Sequence, residues 1–379
     1  MKQTRFMTIK TILSTQYFLF FGVMGVYLPY FNLYCYHLQF TGFQIGVLSS
    51  IRSFLLIIMP LVWSFLADKW QTRKGLYVLF NLASVVFCYC FIIVNSFAWM
   101  MIIMIGYALF YAPIISFLEA ITMDGMELNK SEYGKIRVWG SMSFILMVIG
   151  MGKWIETHPI QWVVWIIFWG SLLQAFASLW IPSCQTHLET MLFSRIKHLF
   201  RSRWIIFLVS GFFMLLSHAT YYGFGSIHLE KLGFSSTYIG CFWALGSLSE
   251  IIVMVNSKRI LHYFSIEKIL RFSFFVAVIR WSILYATSSS IIILGTQLLH
   301  AFTYGAFHIS SIIFIDQEAP KEAKTLGQAA NNAMTYGLGL MIGFFINGYL
   351  FEHIGTMNAF GVSACFALTG GLILLFLWR

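Results

Sequence analysis

Apolar runs of about 20 residues recur along the whole of this 379-residue chain, and each is long enough for a helix to cross the hydrocarbon core of a bilayer. Twelve such runs can be read: 9–34, 43–66, 75–94, 98–122, 137–157, 162–181, 204–228, 237–257, 267–286, 290–314, 326–350 and 357–377. In lipid every backbone polar group must be paired internally, so only helices and closed barrels span membranes. A barrel would show short alternating segments rather than continuous apolar runs. The fold class expected is therefore all-α integral membrane, with twelve transmembrane helices. The composition agrees: 59% of residues are hydrophobic and only 10% are charged, with a mean hydropathy of +0.79.

The positive charges set an expected orientation. Lys2, Arg5 and Lys10 precede the first run; Lys69, Arg73 and Lys74 follow the second; Lys130, Lys135 and Arg137 follow the fourth. Arg195, Lys197, Arg201 and Arg203 separate the sixth from the seventh, Lys258, Arg259, Lys268 and Arg271 follow the eighth, and Lys321 and Lys324 the tenth. Arg379 ends the chain, and only Lys153 and Lys231 fall on the opposite side. The positive-inside rule then places both termini in the cytoplasm. The net charge of +10 is thus a topology signal, and no clustered basic face points to nucleic acid. The first run is too long for the core of a cleaved signal peptide. The six cysteines have no metal-ligand spacing and read as packing residues, so no metal and no cofactor is expected.

Two halves are expected: residues 1–181 with six spans, a polar, basic cytoplasmic linker at 182–203, and residues 204–379 with six more. Asp68-Lys-Trp-Gln-Thr-Arg-Lys74 after the second span has an echo at Ser257-Lys-Arg and Glu267-Lys268 after the eighth, as parallel six-helix repeats would give.

Glu119, Glu250, Arg52 and Arg280 lie inside long apolar runs. A charge at the bilayer centre costs at least a few kcal/mol, so such residues face a partner, a cavity or a substrate path. In the tenth span Gln297, His300, Tyr304, His308 and Ser311 recur every three or four residues and share one helix face. A polar stripe on a membrane helix points inward, and histidine changes charge near neutral pH. The plain alternative is that both histidines only bind neighbouring helices. Span seven offers a comparable face with Ser217, His218, Tyr221, Tyr222 and Gly225, for which ordinary packing is the alternative.

These features resemble the major facilitator superfamily. Asp68, Lys69, Arg73 and Lys74 look like its cytoplasmic signature after span two, with Ser64 and Gln71 in place of the usual glycines. Glu132-Tyr-Gly-Lys-Ile-Arg-Val-Trp-Gly-Ser141 resembles the start of helix five in the lactose permease and its relatives, and the match runs back without a gap to Leu118-Glu-Ala120. Dispersed matches at His218-Ala-Thr-Tyr-Tyr-Gly-Phe224, Ser249-Glu-Ile-Ile252, Arg280-Trp281, Leu299-His300 and His308 are similar to the phenylpropionate permease family and cover essentially the whole chain.

The resemblance implies two six-helix halves around a central cavity. It implies that Glu119 and Arg137 pair at the substrate site, as their counterparts in the lactose permease do at the sugar site. It implies that Glu250, Arg280 and His300 take part in binding and proton coupling. Three departures stand out. Thr303 replaces the proton-releasing carboxylate, and Phe144 replaces the sugar-stacking tryptophan. The helix-seven aspartates and their lysine partners are lost together: Tyr222, Gly225 and Gln297 stand in their places.

The expected site therefore has three parts. Glu119, Arg137, Phe144, Tyr221, Tyr222 and Arg52 are the substrate-binding candidates, Glu250, Arg280, His300, Tyr304 and His308 the proton-coupling candidates, and Asp68 and Arg73 the gating candidates. Interior Arg52, Arg137 and Arg280 outnumber Glu119 and Glu250, a surplus that suits a carboxylate held bidentately. With the resemblance, the function expected is a proton symporter that imports a small aromatic monocarboxylate such as 3-phenylpropionate. The alternatives are a proton-coupled sugar or nucleoside permease, or an integral-membrane enzyme. No His-Glu-x-x-His, Gly-x-Ser-x-Gly or Walker loop occurs, which weighs against an enzyme and against ATP as the driver. The partners expected are a small-molecule substrate, protons and membrane lipid, with no nucleic acid. The chain is expected to act as a monomer in a bacterial inner membrane.

Overall fold

In a computed structural model, the described residues are 2–125, 133–182, 202–319 and 324–378. Most of the linker read at 182–203, together with Lys130, Glu132, Arg195, Lys197, Arg201, Lys321 and Arg379, lies outside them. Among the described residues the protein's regular elements are all helices, joined by short turns. Its elements are α1 (Lys2–His37), α2 (Gly42–Trp70), α3 (Arg73–Ile93), α4 (Phe97–Gly125), α5 (Tyr133–Ile155), α6 (Trp162–Ser178), α7 (Ser202–Lys231), α8 (Ser236–Val255), α9 (Ser257–Tyr263), α10 (Ile266–Ala286), α11 (Ser290–His300), α12 (Phe307–Glu318), α13 (Lys324–Asn332) and α14 (Leu340–Leu375).

Among the described residues, 10 helical stretches are long and apolar enough to cross a membrane, and the apolar α6 is shorter. The last stretch, Leu326–Leu375, is 50 residues long and breaks at Gly355, where φ is +78° and ψ 167°. That left-handed conformation suits glycine and separates the eleventh apolar run from the twelfth. Twelve crossings result, each on one of the apolar runs. α10 is stopped at its start by Ser265, whose hydroxyl accepts from the Lys268 backbone N–H at 3.4 Å.

Two features depart from simple spans. The short α9 follows the eighth span, where the sequence shows only a basic turn. The tenth and eleventh spans are interrupted by π-helical turns, Ala301–Ala306 and Ala333–Gly339. A π-turn inserts a residue into the ladder and rotates the rest of the helix about its axis, and such turns recur at functional sites.

The chain forms two compact units: residues 1–40, 54–189 and 235–240, and residues 41–53, 190–234 and 241–379. In the first, α1 packs on α5 and α6, and α3 on α4 and α6. In the second, α7 and α10 pack on α14. Small residues let backbones touch, as membrane helix pairs require. A Cβ on Gly46 would stand 2.5 Å from the Phe344 carbonyl, and one on Gly152 would stand 2.4 Å from that of Ser236. A carboxylate closes each of these contacts. Glu352 accepts from the Phe43 backbone N–H at the start of α2 (3.1 Å), and Glu156 accepts from the Thr237 hydroxyl at the start of α8.

Candidate functional site

In the second unit a set of buried polar residues around Arg280 forms one connected cluster. Arg280 on α10 is 0% exposed. One terminal nitrogen donates to His300 Nδ1 at 2.7 Å and to Thr303 Oγ1 at 3.2 Å, and the other donates to Gln297 Oε1 at 3.2 Å. Its guanidinium carbon lies 4.6 Å from the ring centres of both Tyr221 and Trp281, within cation–π range. A buried guanidinium is tolerated only when its charge and most of its donors are met. Here three neutral acceptors take the two terminal nitrogens and two rings flank the charge, while the buried Nε has no hydrogen-bond partner among the described residues.

These contacts set the proton positions. A guanidinium can only donate, so His300 Nδ1 is an acceptor and the imidazole proton sits on Nε2. Nε2 then donates to Glu250 Oε1 at 2.7 Å. A second chain runs the other way. His218 Nδ1 donates to the Met214 carbonyl at 2.8 Å, so its Nε2 accepts from the Thr303 hydroxyl at 3.3 Å. Gln297 Oε1 also receives the Tyr221 hydroxyl at 3.0 Å.

The cluster has depth. Arg280, His300, Gln297, Thr303, His218 and Tyr221 are fully buried, whereas the Glu250 side chain is 20% exposed and Tyr222, Tyr304, His308 and Tyr336 are half-buried. The rings of His300, Tyr304 and His308 stack in a column, with centres 5.5 and 6.0 Å apart. Tyr336, on the second π-turn, shares a hydrogen bond with His308 Nδ1 at 2.8 Å. The sequence reading missed Tyr336. A signal was present: Ala301-Phe-Thr-Tyr-Gly305 and Ala333-Met-Thr-Tyr-Gly337 repeat one pattern, and both are π-helical.

The expected substrate-binding residues divide between the units. Tyr221 is enclosed behind Arg280, and Tyr222 stands in the half-buried layer. Arg52 is half-buried on the first part of α2, also in the second unit. In the first unit, Glu119 on α4 is exposed and Arg137 on α5 is half-buried. Arg137 lies within electrostatic range of Glu119, but no ion pair within 4.0 Å joins them among the described residues. The Arg137 guanidinium instead covers Phe21, 3.8 Å from the ring centre. Phe144 is half-buried where α5 meets α1; a Cβ on Gly25 would stand 2.7 Å from its carbonyl.

Arg73 bridges two acids, Asp124 Oδ2 at 2.6 Å and Asp68 at 3.8 Å. Asp124, the closer partner, ends α4 and was not singled out from the sequence. Gln71 has φ +51°, the conformation that the missing glycine would favour, and its side chain donates to the Asp68 carbonyl at 2.6 Å.

Solved structures share this fold. The crystal structure of the nucleoside transporter NupG matches with a TM-score of 0.89 over 98% of this chain and 99% of that one, at 17% identity. A bacterial homolog of the human lysosomal transporter Spinster, inward-facing and occupied, matches with a TM-score of 0.72 over 98% and 96%, at 11% identity. Together with the relatives in sequence, the fold defines an integral-membrane secondary transporter of the major facilitator type, not an enzyme. The chain belongs to the MFS_1 like family, whose model matches residues 10–362. It is 28% identical to the "Probable 3-phenylpropionic acid transporter" of Escherichia coli (strain K12) over 94% of each chain. It is 23% identical to the maltose permease of Geobacillus stearothermophilus, covering 97% of this chain and 94% of that one. It is 21% identical to the nucleoside permease NupG of Escherichia coli (strain K12), covering 91% and 88%.

Proposed function

We propose that this protein is a proton symporter that imports a small aromatic monocarboxylate such as 3-phenylpropionate across a bacterial inner membrane, as a monomer with both termini cytoplasmic. The observation that carries proton coupling is the chain Arg280–His300–Glu250. While Arg280 donates to Nδ1, a protonated His300 would point an N–H at a guanidinium, so the imidazole stays a neutral bridge. The exchangeable proton then belongs on Glu250, the partly exposed end of the chain. A proton taken up on the other oxygen leaves Oε1 an acceptor but removes the negative charge, so the contact with the Nε2–H of His300 weakens from a charge-assisted to a neutral hydrogen bond. Proton uptake thereby loosens α8 from the tenth span.

An anionic substrate gives this step its direction. A carboxylate near Glu250 is repelled while Glu250 is ionised and accepted once it is neutral. Arg137 serves as the anion contact and Arg52 adds positive charge. Tyr222 and Phe144 supply apolar surface, and Tyr221 acts from behind by holding Arg280 and Gln297. Glu119 balances Arg137, and Asp68 with Arg73 acts as the cytoplasmic latch.

A nucleoside is the second reading, favoured by one observation. Arg280 is enclosed by neutral acceptors, so the surplus counted from the sequence shrinks to two arginines, Arg137 and Arg52, for two carboxylates, Glu119 and Glu250. A balanced set suits a neutral polar ligand, and a nucleoside permease is among the relatives.

Uptake by proteoliposomes with an imposed pH gradient tests both readings. Accumulation of 3-phenylpropionate, lost on adding an uncoupler, is expected. Accumulation of uridine with no uptake of aryl acids would establish the second reading instead.

A further inference from the structure

The arginine read as the anion contact lies on a ring rather than on its acid. The guanidinium of Arg137 stands 3.8 Å over Phe21, a face-on distance, and 5.7 Å from the ring of Tyr17 one helical turn earlier. The Tyr17 and Phe21 rings are nearly parallel, at 8°, and extend one aromatic surface along α1. Gly140, one turn after Arg137, makes this possible. A Cβ there would stand 2.6 Å from Phe21 and 3.0 Å from an Arg137 terminal nitrogen, so a larger residue would lift the guanidinium off the ring or push the ring aside.

We propose that Phe21 is the positioning residue of Arg137, and that the pair selects a planar carboxylate. The ring covers one face of the guanidinium and removes water from it. The remaining donors are N–H groups in the guanidinium plane, and a coplanar carboxylate meets two of them at once. A lysine ammonium has no flat face to lie on Phe21 and no paired donors. Loss of the ring leaves the charge in place but frees the guanidinium to rotate, and the orientation entropy then falls on the ligand. This inference rests on the reading of Arg137 as the anion contact.

Two measurements separate it from that reading. The first needs no ligand: thermal unfolding of the purified protein for wild type, Phe21→Leu, Arg137→Gln and Phe21→Leu/Arg137→Gln. Contacting residues are coupled, so the two shifts in Tm are expected to be non-additive, with Phe21→Leu costing less once the cation is gone. Additive shifts would overturn the platform. The second is binding of 3-phenylpropionate and of its neutral amide. Phe21→Leu is expected to raise the Kd of the acid about 3- to 10-fold, the range of a partly desolvated cation–π contact, while leaving the amide within about twofold. Phe21→Tyr is expected to keep acid binding near wild type, and Gly140→Val to mimic Phe21→Leu. Equal loss for acid and amide would make Phe21 a packing residue and overturn the positioning role. If wild type binds neither acid nor amide, the substrate reading fails, and the unfolding cycle alone decides whether Phe21 carries Arg137.

Discussion

Tyr336 and His308 share a hydrogen bond of 2.8 Å between two spans, and Tyr336 sits on a π-helical turn. The bond fixes the His308 ring at the end of the column that begins at His300. Tyr336→Phe removes the hydroxyl and keeps the ring. Uptake driven by a pH gradient is expected to fall several-fold, and exchange of substrate at equal pH to change by less than about twofold. Equal loss in both assays would leave Tyr336 a packing residue.

Glu250→Gln keeps the shape of the carboxylate and can still accept from His300, but it cannot take up a proton. Accumulation against a gradient is expected to vanish while downhill exchange persists. The check is paired proteoliposome assays with and without a pH gradient. A variant that still concentrates substrate would remove Glu250 as the coupling group and leave His308 as the next candidate.

Arg280 should matter for folding as well as for transport. Arg280→Ala strands His300 Nδ1 in a buried site and takes one donor each from Gln297 and Thr303, which keep Tyr221 and His218. A buried polar group left unsatisfied costs about 1–3 kcal/mol. A large fall in Tm is expected for Arg280→Ala, against little change for Glu250→Gln. Thermal unfolding in detergent measures the contrast, which a similar Tm for both variants would contradict.

The latch proposed at Arg73 has two acids at different distances. Arg73 lies 2.6 Å from Asp124 and 3.8 Å from Asp68. Asp124→Asn is therefore expected to lower the transport rate more than Asp68→Asn, with both remaining folded. Initial uptake rates decide the order, and the reverse order would make Asp68 the main partner.

The orientation can be checked with single cysteines. A cysteine at Lys74 is expected to react with an impermeant thiol reagent only from the cytoplasmic face, and one at His158 only from outside. Labelling of Lys74→Cys from outside would invert the topology.

The sequence by itself determined the fold class and the twelve crossings, because the cost of placing a polar group in lipid adds up residue by residue and is legible as hydropathy. It also marked Arg280, Glu250 and His300, since charge inside an apolar run is conspicuous wherever the run ends up. What these groups touch was decided only by tertiary structure. Three arginines counted as a positive surplus, yet Arg280 is turned wholly toward His300, Gln297 and Thr303. Arg137 faces Phe21, although the resemblance paired it with Glu119. Tyr336 and Asp124 reach His308 and Arg73 from other helices, 28 and 51 positions away. Such choices depend on how each helix is rotated about its axis, and a π-turn alters that rotation by inserting a residue into the ladder. Hydropathy is blind to rotation, so the helices were legible one by one while the directions of their polar faces were not.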